Sequence, residues 1–166
     1  YKVTGVQTCA LPILERKCKV LLLSHLGRPK GRDLSFSLKP LVAEFEKKLS
    51  ASVTFSDDCI GESTQKTISA AKESSVVLLE NVRFYEEEAL ASEDFAKKLG
   101  EHADFFVNDA FGTAHRKHAS NYALAKIFGK KAAIGLLIEK ELNAFNKLVH
   151  DPERPFYAVI GGAKVE

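Results

Sequence analysis

Three segments of the sequence combine arginine with glycine or histidine in a way that suits binding of a small anion. They are residues 24–32 (SHLGRPKGR), 80–84 (ENVRF) and 108–118 (NDAFGTAHRKH). Guanidinium groups bind phosphate and carboxylate through paired hydrogen bonds, each of which contributes roughly 1.5–3 kcal/mol. Gly27 and Gly112 allow the backbone to come close to a ligand. These residues predict a pocket for a small molecule that carries more than one negative group.

A basic loop taken alone is more often a solvated surface loop than a binding site. A lone histidine such as His115 or His118 is likewise more often a surface or core residue than a catalyst. The pocket is favoured because each of the three segments follows a predicted strand, and the loops after parallel strands meet at one edge of a sheet. We interpret the acidic run 86–88 (EEE) as a solvated helix start. The pair Asp57 and Asp58 lacks further ligands at metal-binding spacing, so we predict no metal site.

Short apolar runs alternate with segments whose apolar residues recur at helical spacing. The predicted strands are 19–23, 53–55, 75–79, 104–107 and 156–160, and the predicted helices are 37–49, 62–73, one capped by Ser92, 121–128 and 138–149. Strands that are apolar throughout and alternate with helices are typical of a parallel sheet covered on both faces. The predicted fold class is therefore α/β, a Rossmann-like parallel sheet in a three-layer α/β/α arrangement.

Length and composition narrow the class of protein. The chain has 166 residues, of which 45% are hydrophobic and 28% charged, and these values suit one α/β domain. The net charge of +2 argues neither for nor against a nucleic-acid partner. Cys9, Cys18 and Cys59 match no zinc or redox spacing, and their odd number favours reduced thiols in a cytoplasmic protein. The longest apolar runs, such as 132–138, are too short to cross a bilayer, so we expect no membrane partner.

Sequence signatures of several other chemistries are absent. There is no G-x-x-x-x-G-K-[ST], no G-x-G-x-x-G and no G-x-S-x-G. Residues 161–164 (GGAK) follow the last predicted strand and would allow a phosphate to approach. Four residues alone are weak support for a nucleotide site.

Four segments resemble, in the right order, the signatures of the phosphoglycerate kinase family. They are SHLGRPKG (24–31), LLENVRF (78–84), NDAFGTAHRKHAS (108–120) and RPFYAVIGGAKV (154–165). The resemblance implies an enzyme with two Rossmann-like lobes, in which the N-terminal lobe binds phosphoglycerate and the C-terminal lobe binds the nucleotide. It also implies a glycolytic reaction, the reversible transfer of a phosphoryl group between 1,3-bisphosphoglycerate and Mg-ADP, giving 3-phosphoglycerate and ATP. Hinge closure would bring the two lobes together.

The resemblance further implies roles for individual residues. The implied substrate-binding residues are His25, Leu26, Gly27, Arg28, Arg83, His115, Arg116 and His118. The implied catalytic residues are Lys164 and Arg28, and the implied nucleotide-binding residues are Gly161, Gly162 and Lys164. Mg²⁺ would arrive with ADP or ATP, bound mainly by the other lobe. Phosphoryl transfer needs alignment and charge neutralisation, which arginine and lysine supply, more than covalent chemistry from the protein.

The chain departs from the family pattern at both ends. The family begins with a strand that carries an Asp-x-Asn pair and then an arginine, and residues 1–13 contain neither. We interpret VQTCALPI (6–13) as translated sequencing-adapter read-through, so that 1–13 is a non-native leader to a substrate-binding lobe at 14–150. Residues 151–166 are then the interlobe segment and the first strand of a nucleotide lobe that the chain otherwise lacks. We expect a fragment of a longer reading frame that is inactive by itself.

Two other functions stay open from the sequence. A non-catalytic module that binds small phosphorylated metabolites would use the same basic loops, although GGAKV at 161–165 would then have no purpose. A nucleic-acid-binding domain should show a long basic stripe or interleaved exposed aromatic residues. Phe84, Tyr85 and Phe111 are too few for that. The resemblance implies a monomer that binds 3-phosphoglycerate or 1,3-bisphosphoglycerate, and we expect no nucleic-acid partner.

Overall fold

The computed structural model describes residues 6–159 and residue 161. Within these residues the strands are β1 (Val20–Leu22), β2 (Val53–Phe55), β3 (Val76–Leu78), β4 (Phe106–Asn108) and β5 (Ala132–Ile134). The α-helices are α1 (Val6–Glu15), α2 (Val42–Leu49), α3 (Glu62–Ala70), α4 (Glu86–Ala89), α5 (Glu93–Gly100), α6 (Phe111–Ala114), α7 (Leu124–Phe128) and α8 (Leu136–His150). Short 3₁₀ turns lie at Leu34–Phe36, Lys39–Leu41, Val82–Phe84 and Gly129–Lys131, and a π-helical turn at Ala119–Ala123 runs directly into α7.

The main sheet has three parallel strands in the order β1-β3-β2. Val76 of β3 is in register with Val20 on one side and with Val53 on the other. All three residues of β3 are buried, as expected for the central strand of a parallel sheet. The fold class predicted from the sequence, a parallel sheet with helices, is confirmed.

Successive side chains of β3 point to opposite faces of the sheet, so both faces carry apolar side chains. Helices cover both of these faces. Val77 belongs to a buried cluster with residues of α5, the π-helical turn and α7. Val76 and Leu78 belong to a second cluster with residues of α1 and α2. The two clusters form the two layers of core on either side of the strands, which is the three-layer arrangement that the apolar strands predict.

The fourth predicted strand is present, but it does not hydrogen-bond to the other three. Within the described residues, β4 pairs only with β5, in a separate parallel ladder that aligns Phe106 with Ala132 and Asn108 with Ile134. β5 is not evident from the sequence, because its three residues belong to a longer apolar run. β4 still lies next to the core, since Phe106 packs against the α5 side and contacts Phe128 with a ring-centroid distance of 6.0 Å.

The predicted helices are present, but two of them begin with a 3₁₀ or π-helical turn. The predicted helix 37–49 begins instead with a 3₁₀ turn at Lys39–Leu41, where Pro40 lies in the first turn, and continues as α2. Ser92 caps α5 as predicted, with Oγ accepting from the backbone nitrogen of Phe95 at 3.3 Å. The predicted helix 121–128 is a π-helical turn followed by α7, and the predicted helix 138–149 is α8.

The N-terminal end of the described chain is helical, whereas its C-terminal end has no regular secondary structure. Residues 6–15 form α1, whose Ala10 and Leu14 are buried in the second core cluster. A strand was predicted over 156–160, but residues 156–159 have no regular secondary structure and Ile160 lies outside the described residues. A strand needs a neighbour for its backbone hydrogen bonds, and these four residues pair with no strand of the described chain. None of the helices between residues 6 and 159 is long and apolar enough to cross a membrane.

Candidate functional site

The loop after β1 is held in place by Asn81, whose side chain is fully buried just after β3. Asn81 Nδ2 donates hydrogen bonds to the carbonyl oxygens of Leu26 at 2.8 Å and Phe36 at 3.0 Å. Asn81 Oδ1 accepts from the backbone nitrogen of Arg83 at 3.1 Å. Because a buried carbonyl group without a partner costs free energy, these bonds fix residues 24–36 next to the segment that carries Arg83.

Glu80 is a second buried anchor beside Asn81, and its side chain is 2% exposed. Its carboxylate accepts from Ser37 Oγ at 2.6 Å, from the backbone nitrogen of Leu38 at 2.8 Å and from that of Asn81 at 2.8 Å. Three donors satisfy a charge that would otherwise be costly to bury. Glu80 and Asn81 belong to the ENVRF segment, but the sequence patterns predict no role for either residue. Their position directly after a buried strand is the one feature that could have indicated that they are buried.

Arg83 crosses from the loop after β3 to the loop after β1. Its Nη1 donates to the carbonyl oxygen of Gly27 at 2.6 Å. Gly27 has a φ of 63°, and a Cβ added there would lie 2.4 Å from Cε1 of Phe36. Glycine is therefore required at this position both by its backbone conformation and by the close approach of the Phe36 ring.

Basic side chains from the three predicted loops influence one another strongly. Burial, together with the positive charges of Arg83, His118 and Arg116, lowers the pKa of His25 to about 4. Burial also lowers the pKa of Arg83, as do the charges of Arg116 and Arg28. Such effects fall off with distance, and Arg83 is tied directly to the first loop by its bond to the Gly27 carbonyl oxygen. We call this group the basic rim; its members are His25, Arg28, Arg83, Arg116 and His118.

The basic rim suits an anion with more than one negative charge. Guanidinium groups held together repel one another, and a phosphate between them would relieve that repulsion while accepting bidentate hydrogen bonds. With a pKa of about 4, His25 is neutral at pH 7 and so adds a hydrogen-bond donor and an acceptor instead of another charge. That the arginines of all three loops face one ligand stays a prediction.

Glu88 joins the loop after β4 to the segment after β3. The prediction that the acidic run 86–88 is solvated is correct for Glu86 and Glu87, which are exposed. It is wrong for Glu88, which is 3% exposed. Glu88 accepts from the backbone nitrogen of Ser120 at 2.8 Å and from Ser120 Oγ at 2.6 Å. Its Oε1 also lies 3.5 Å from Nδ1 of His118. The sequence of the acidic run does not indicate which glutamate is buried, because the hydrogen-bond donors on Ser120 lie 32 residues away.

Arg116, a member of the basic rim, also lines an open cleft of about 410 Å³. Its Nε is buried and has no hydrogen-bond partner among the described residues. The same cleft is lined by Asn108, Asn121 and Tyr122, and the ammonium group of Lys117 lies 5.2 Å from the centroid of the Tyr122 ring. A buried N–H without a partner costs free energy.

The remaining residues of the predicted site have different surroundings. Leu26 contributes its carbonyl oxygen to Asn81, and its side chain packs against the second core cluster. His115 is exposed at the end of α6. Gly161 is exposed, while Gly162 and Lys164 lie outside the described residues.

The aspartate pair of the sequence analysis has structural contacts. Asp58 Oδ1 accepts from the Tyr85 hydroxyl at 2.6 Å, and its other oxygen lies 3.6 Å from Arg32. Arg32 also donates to the carbonyl oxygen of Asp57 at 2.6 Å, so this arginine of the first basic loop turns away from the basic rim. Among the described residues, no group of three or more His, Cys, Asp or Glu side chains is arranged to hold a metal ion.

Comparison with known proteins identifies the same group of enzymes as the sequence motifs. The family model for phosphoglycerate kinase matches residues 6–166, beginning inside the segment interpreted as a leader, whose origin stays a prediction. The cytosolic phosphoglycerate kinase of Triticum aestivum is 50% identical over 153 residues, and that of Aquifex aeolicus is 46% identical over 153 residues. A chloroplastic phosphoglycerate kinase of Arabidopsis thaliana is 49% identical over 153 residues, so the cytoplasmic location stays a prediction too.

Solved structures of two further phosphoglycerate kinases share this fold. The enzyme from Pyrococcus horikoshii superimposes with a TM-score of 0.84 and 31% identity, over 97% of this chain and 41% of that one. The enzyme from Coxiella burnetii superimposes with a TM-score of 0.73 and 35% identity, over 88% of this chain and 37% of that one. The wheat and Aquifex alignments cover 92% of this chain and 38% of those relatives, so the chain spans well under half of their length. Sequence match, fold and basic loops agree that the chain belongs to the phosphoglycerate kinase family.

Proposed function

We propose that this chain is the phosphoglycerate-binding part of a phosphoglycerate kinase. The whole enzyme would transfer a phosphoryl group reversibly between 1,3-bisphosphoglycerate and Mg-ADP, yielding 3-phosphoglycerate and ATP in glycolysis. The observation that carries this proposal is the 2.6 Å bond from Arg83 to the Gly27 carbonyl oxygen, which ties the segment after β3 to the loop that carries Arg28. The charge of Arg116, which lowers the pKa of Arg83, supports it. We also propose that the polypeptide is a monomer, since the rim needs no second chain to complete it.

In this proposal the basic rim binds the phosphate and carboxylate ends of the substrate. Arg83 and Arg116 supply guanidinium groups for these two ends. Neutral His25 donates one hydrogen bond from its ring without adding charge. The remaining residues that we assign to substrate binding are Leu26, Gly27, Arg28, His115 and His118.

The transfer step would use Arg28 and Lys164 to neutralise charge on the moving phosphoryl group. Such a reaction depends on alignment and electrostatic stabilisation, which a positioned guanidinium or ammonium group provides. Gly161, Gly162 and Lys164 would contact the nucleotide, whose Mg²⁺ enters as part of the substrate and is held mainly by protein outside this chain. Positioning supplies most of the rate in such reactions. We therefore expect the 166-residue polypeptide to bind 3-phosphoglycerate without measurable turnover.

A titration of the 166-residue polypeptide tests this proposal. 3-Phosphoglycerate is added to ¹⁵N-labelled protein at low ionic strength, and amide and arginine side-chain resonances are followed. We expect saturable shifts at Arg83 and Arg116, and weaker binding as salt is added, because salt screens the attraction between exposed charges. Glycerate, which lacks the phosphate, is the matched control ligand and should bind more weakly.

Two outcomes contradict the proposal. One is a folded polypeptide with no response to 3-phosphoglycerate even at low ionic strength. The other is equal binding of glycerate, which would mean that the rim does not recognise phosphate. A coupled assay for ATP formation from 1,3-bisphosphoglycerate and Mg-ADP tests the expected lack of turnover separately, and any rate above the protein-free blank contradicts that part.

A further inference from the structure

Glu88 is a charged side chain that the fold removes from solvent beside the basic rim. It lies in α4, where its neighbours Glu86 and Glu87 are exposed. Its own side chain is buried. Burying a carboxylate is unfavourable unless hydrogen bonds compensate, so the contacts of Glu88 indicate what the burial achieves.

Those contacts all go to one short segment after β4. Both carboxylate oxygens accept from Ser120, one from the backbone nitrogen at 2.8 Å and the other from Oγ at 2.6 Å. Ser120 lies in the first turn of the continuous helix formed by the π-helical turn and α7, where backbone N–H groups lack partners within the helix. A carboxylate at this end also interacts favourably with the helix dipole.

The segment that Glu88 holds is the one that carries two members of the basic rim. Arg116 and His118 directly precede the helix, and His118 Nδ1 lies 3.5 Å from Glu88 Oε1. On its other side, Glu88 belongs to the same short stretch as Arg83, which lies in the preceding 3₁₀ turn. One side chain therefore links the loop after β3 to the loop after β4.

We propose that Glu88 is a positioning residue whose carboxylate, bonded to Ser120, holds Arg116 and His118 opposite Arg83 so that all three can face one anion. The expected effect of Glu88 on substrate binding rests on the proposed function. The expected effect of Glu88 on the positions of Arg116 and His118 does not depend on that function. Electrostatics alone predicts the opposite effect on affinity, because Glu88 is a negative charge next to an anion site and its removal should strengthen anion binding. The sign of the change thus separates a positioning role from a simple charge effect.

Three variants test this inference. Glu88→Ala removes both bonds to Ser120, whereas Glu88→Gln can keep both, since its amide oxygen accepts from the Ser120 N–H and its NH₂ group donates to Ser120 Oγ. Glu87→Gln changes an exposed neighbour in the same helix and is the matched control. We expect Glu88→Ala to weaken 3-phosphoglycerate binding about tenfold despite the lost negative charge, because misplaced binding groups lose affinity steeply. Glu88→Gln should bind at least as tightly as the unchanged protein, and Glu87→Gln should show no change.

A second readout needs no ligand and separates this inference from the proposed function. The ¹⁵N resonances of the Arg116 guanidinium should move in Glu88→Ala and stay close to their original positions in Glu88→Gln and Glu87→Gln. The His118 ring is not used in this comparison, because Glu88→Gln removes a charge 3.5 Å from its Nδ1. If the unchanged protein fails to bind 3-phosphoglycerate, the proposed function is contradicted and these resonances still test the inference. Unmoved resonances in a folded Glu88→Ala protein, or unchanged or tighter binding by it, would overturn the inference.

Should Glu88→Ala fail to fold, Ser120→Ala replaces it. This variant removes only the bond from Ser120 Oγ and leaves the backbone donor in place. A few-fold weaker binding and a shift of the His118 ring resonances are expected because one of two anchors remains. Binding and resonances identical to those of the unchanged protein would overturn the inference.

Discussion

Arg83 Nη1 donates a 2.6 Å hydrogen bond to the carbonyl oxygen of Gly27, a residue 56 positions earlier in the chain. This bond joins the loops that follow two adjacent strands of the sheet, β1 and β3. One nitrogen of the guanidinium group is thereby anchored to the backbone, and the rest of the group is held at the basic rim. Arg83 is therefore both a structural tie and a ligand-binding group in the proposed function.

The double role of Arg83 makes Arg83→Lys an informative change. Lysine has a single ammonium group and cannot bond Gly27 and bind a phosphate in the bidentate manner of arginine. We expect the affinity for 3-phosphoglycerate to fall about tenfold or more, the loss of one charge-assisted hydrogen bond. The measurement is an NMR titration at low ionic strength.

Arg32→Lys is the matched control for Arg83→Lys. Arg32 belongs to the first basic loop but bonds the carbonyl oxygen of Asp57 and lies 3.6 Å from Asp58. Its replacement should leave the affinity nearly unchanged. Equal losses in the two variants would mean that only the total charge of the loops matters, which contradicts a specific site at the rim.

His25 should make the stability of the protein depend on pH between about 6.5 and about 4. Its pKa is about 4 in the folded protein, against a usual value of 6.5, because of burial and of the charges of Arg83, His118 and Arg116. In that window the unfolded chain binds a proton and the folded chain does not, so the free energy of unfolding falls as the pH falls. Above 6.5 the ring is neutral in both states and contributes no dependence.

Replacing the titrating ring tests this expectation. His25→Gln should reduce the loss of stability between those pH values by about 1–2 kcal/mol, a figure discounted from the full linkage because the side chain is partly exposed. Urea unfolding at several pH values measures it, and ring resonances report the pKa of His25 directly. Bound 3-phosphoglycerate should raise that pKa, since it offsets the neighbouring positive charges. A ring that titrates at 6.5 without ligand would contradict the buried, cationic surroundings.

Asn81→Ala should be strongly destabilising. The change leaves the carbonyl oxygens of Leu26 and Phe36 and the backbone nitrogen of Arg83 without their partner in a buried position. We expect a loss of about 2–4 kcal/mol in the free energy of unfolding, measured by chemical denaturation. Asn143→Ala, on the exposed surface of α8, is the control and should change stability by less than about 0.5 kcal/mol. Similar losses in both variants would show that Asn81 is not the anchor of these loops.

Gly27→Ala should also destabilise the protein, for a steric reason. The φ of 63° is unfavourable for alanine, and the new Cβ would lie 2.4 Å from the ring of Phe36. We expect a loss of about 2–3 kcal/mol in thermal or urea unfolding, from backbone strain and overpacking together. In Gly112→Ala the added Cβ meets nothing within 4 Å, so this control should be neutral or slightly stabilising within α6. Equal stability of the two variants would contradict the close contact between Gly27 and Phe36.

Local patterns in the sequence determined much of the architecture. The apolar runs predict β1, β2, β3 and β4, because a buried strand reveals itself through consecutive side chains that avoid water. Parallel strands direct the loops after them to a common edge, which is why the arginines of three separate segments could be expected to meet. The motifs in these loops were also sufficient to indicate the family.

Only the tertiary structure decided how buried polar residues are used. Glu88 belongs to an acidic run that was interpreted as solvated, and its burial depends on donors from Ser120. The burial of Asn81 likewise depends on acceptors from Leu26 and Phe36, far along the chain. The pairing of β4 with β5, apart from the main sheet, is also a long-range choice. Periodicity reports which side chains avoid water, but a buried hydrogen bond depends on where the rest of the chain brings its partner, and that information is not local.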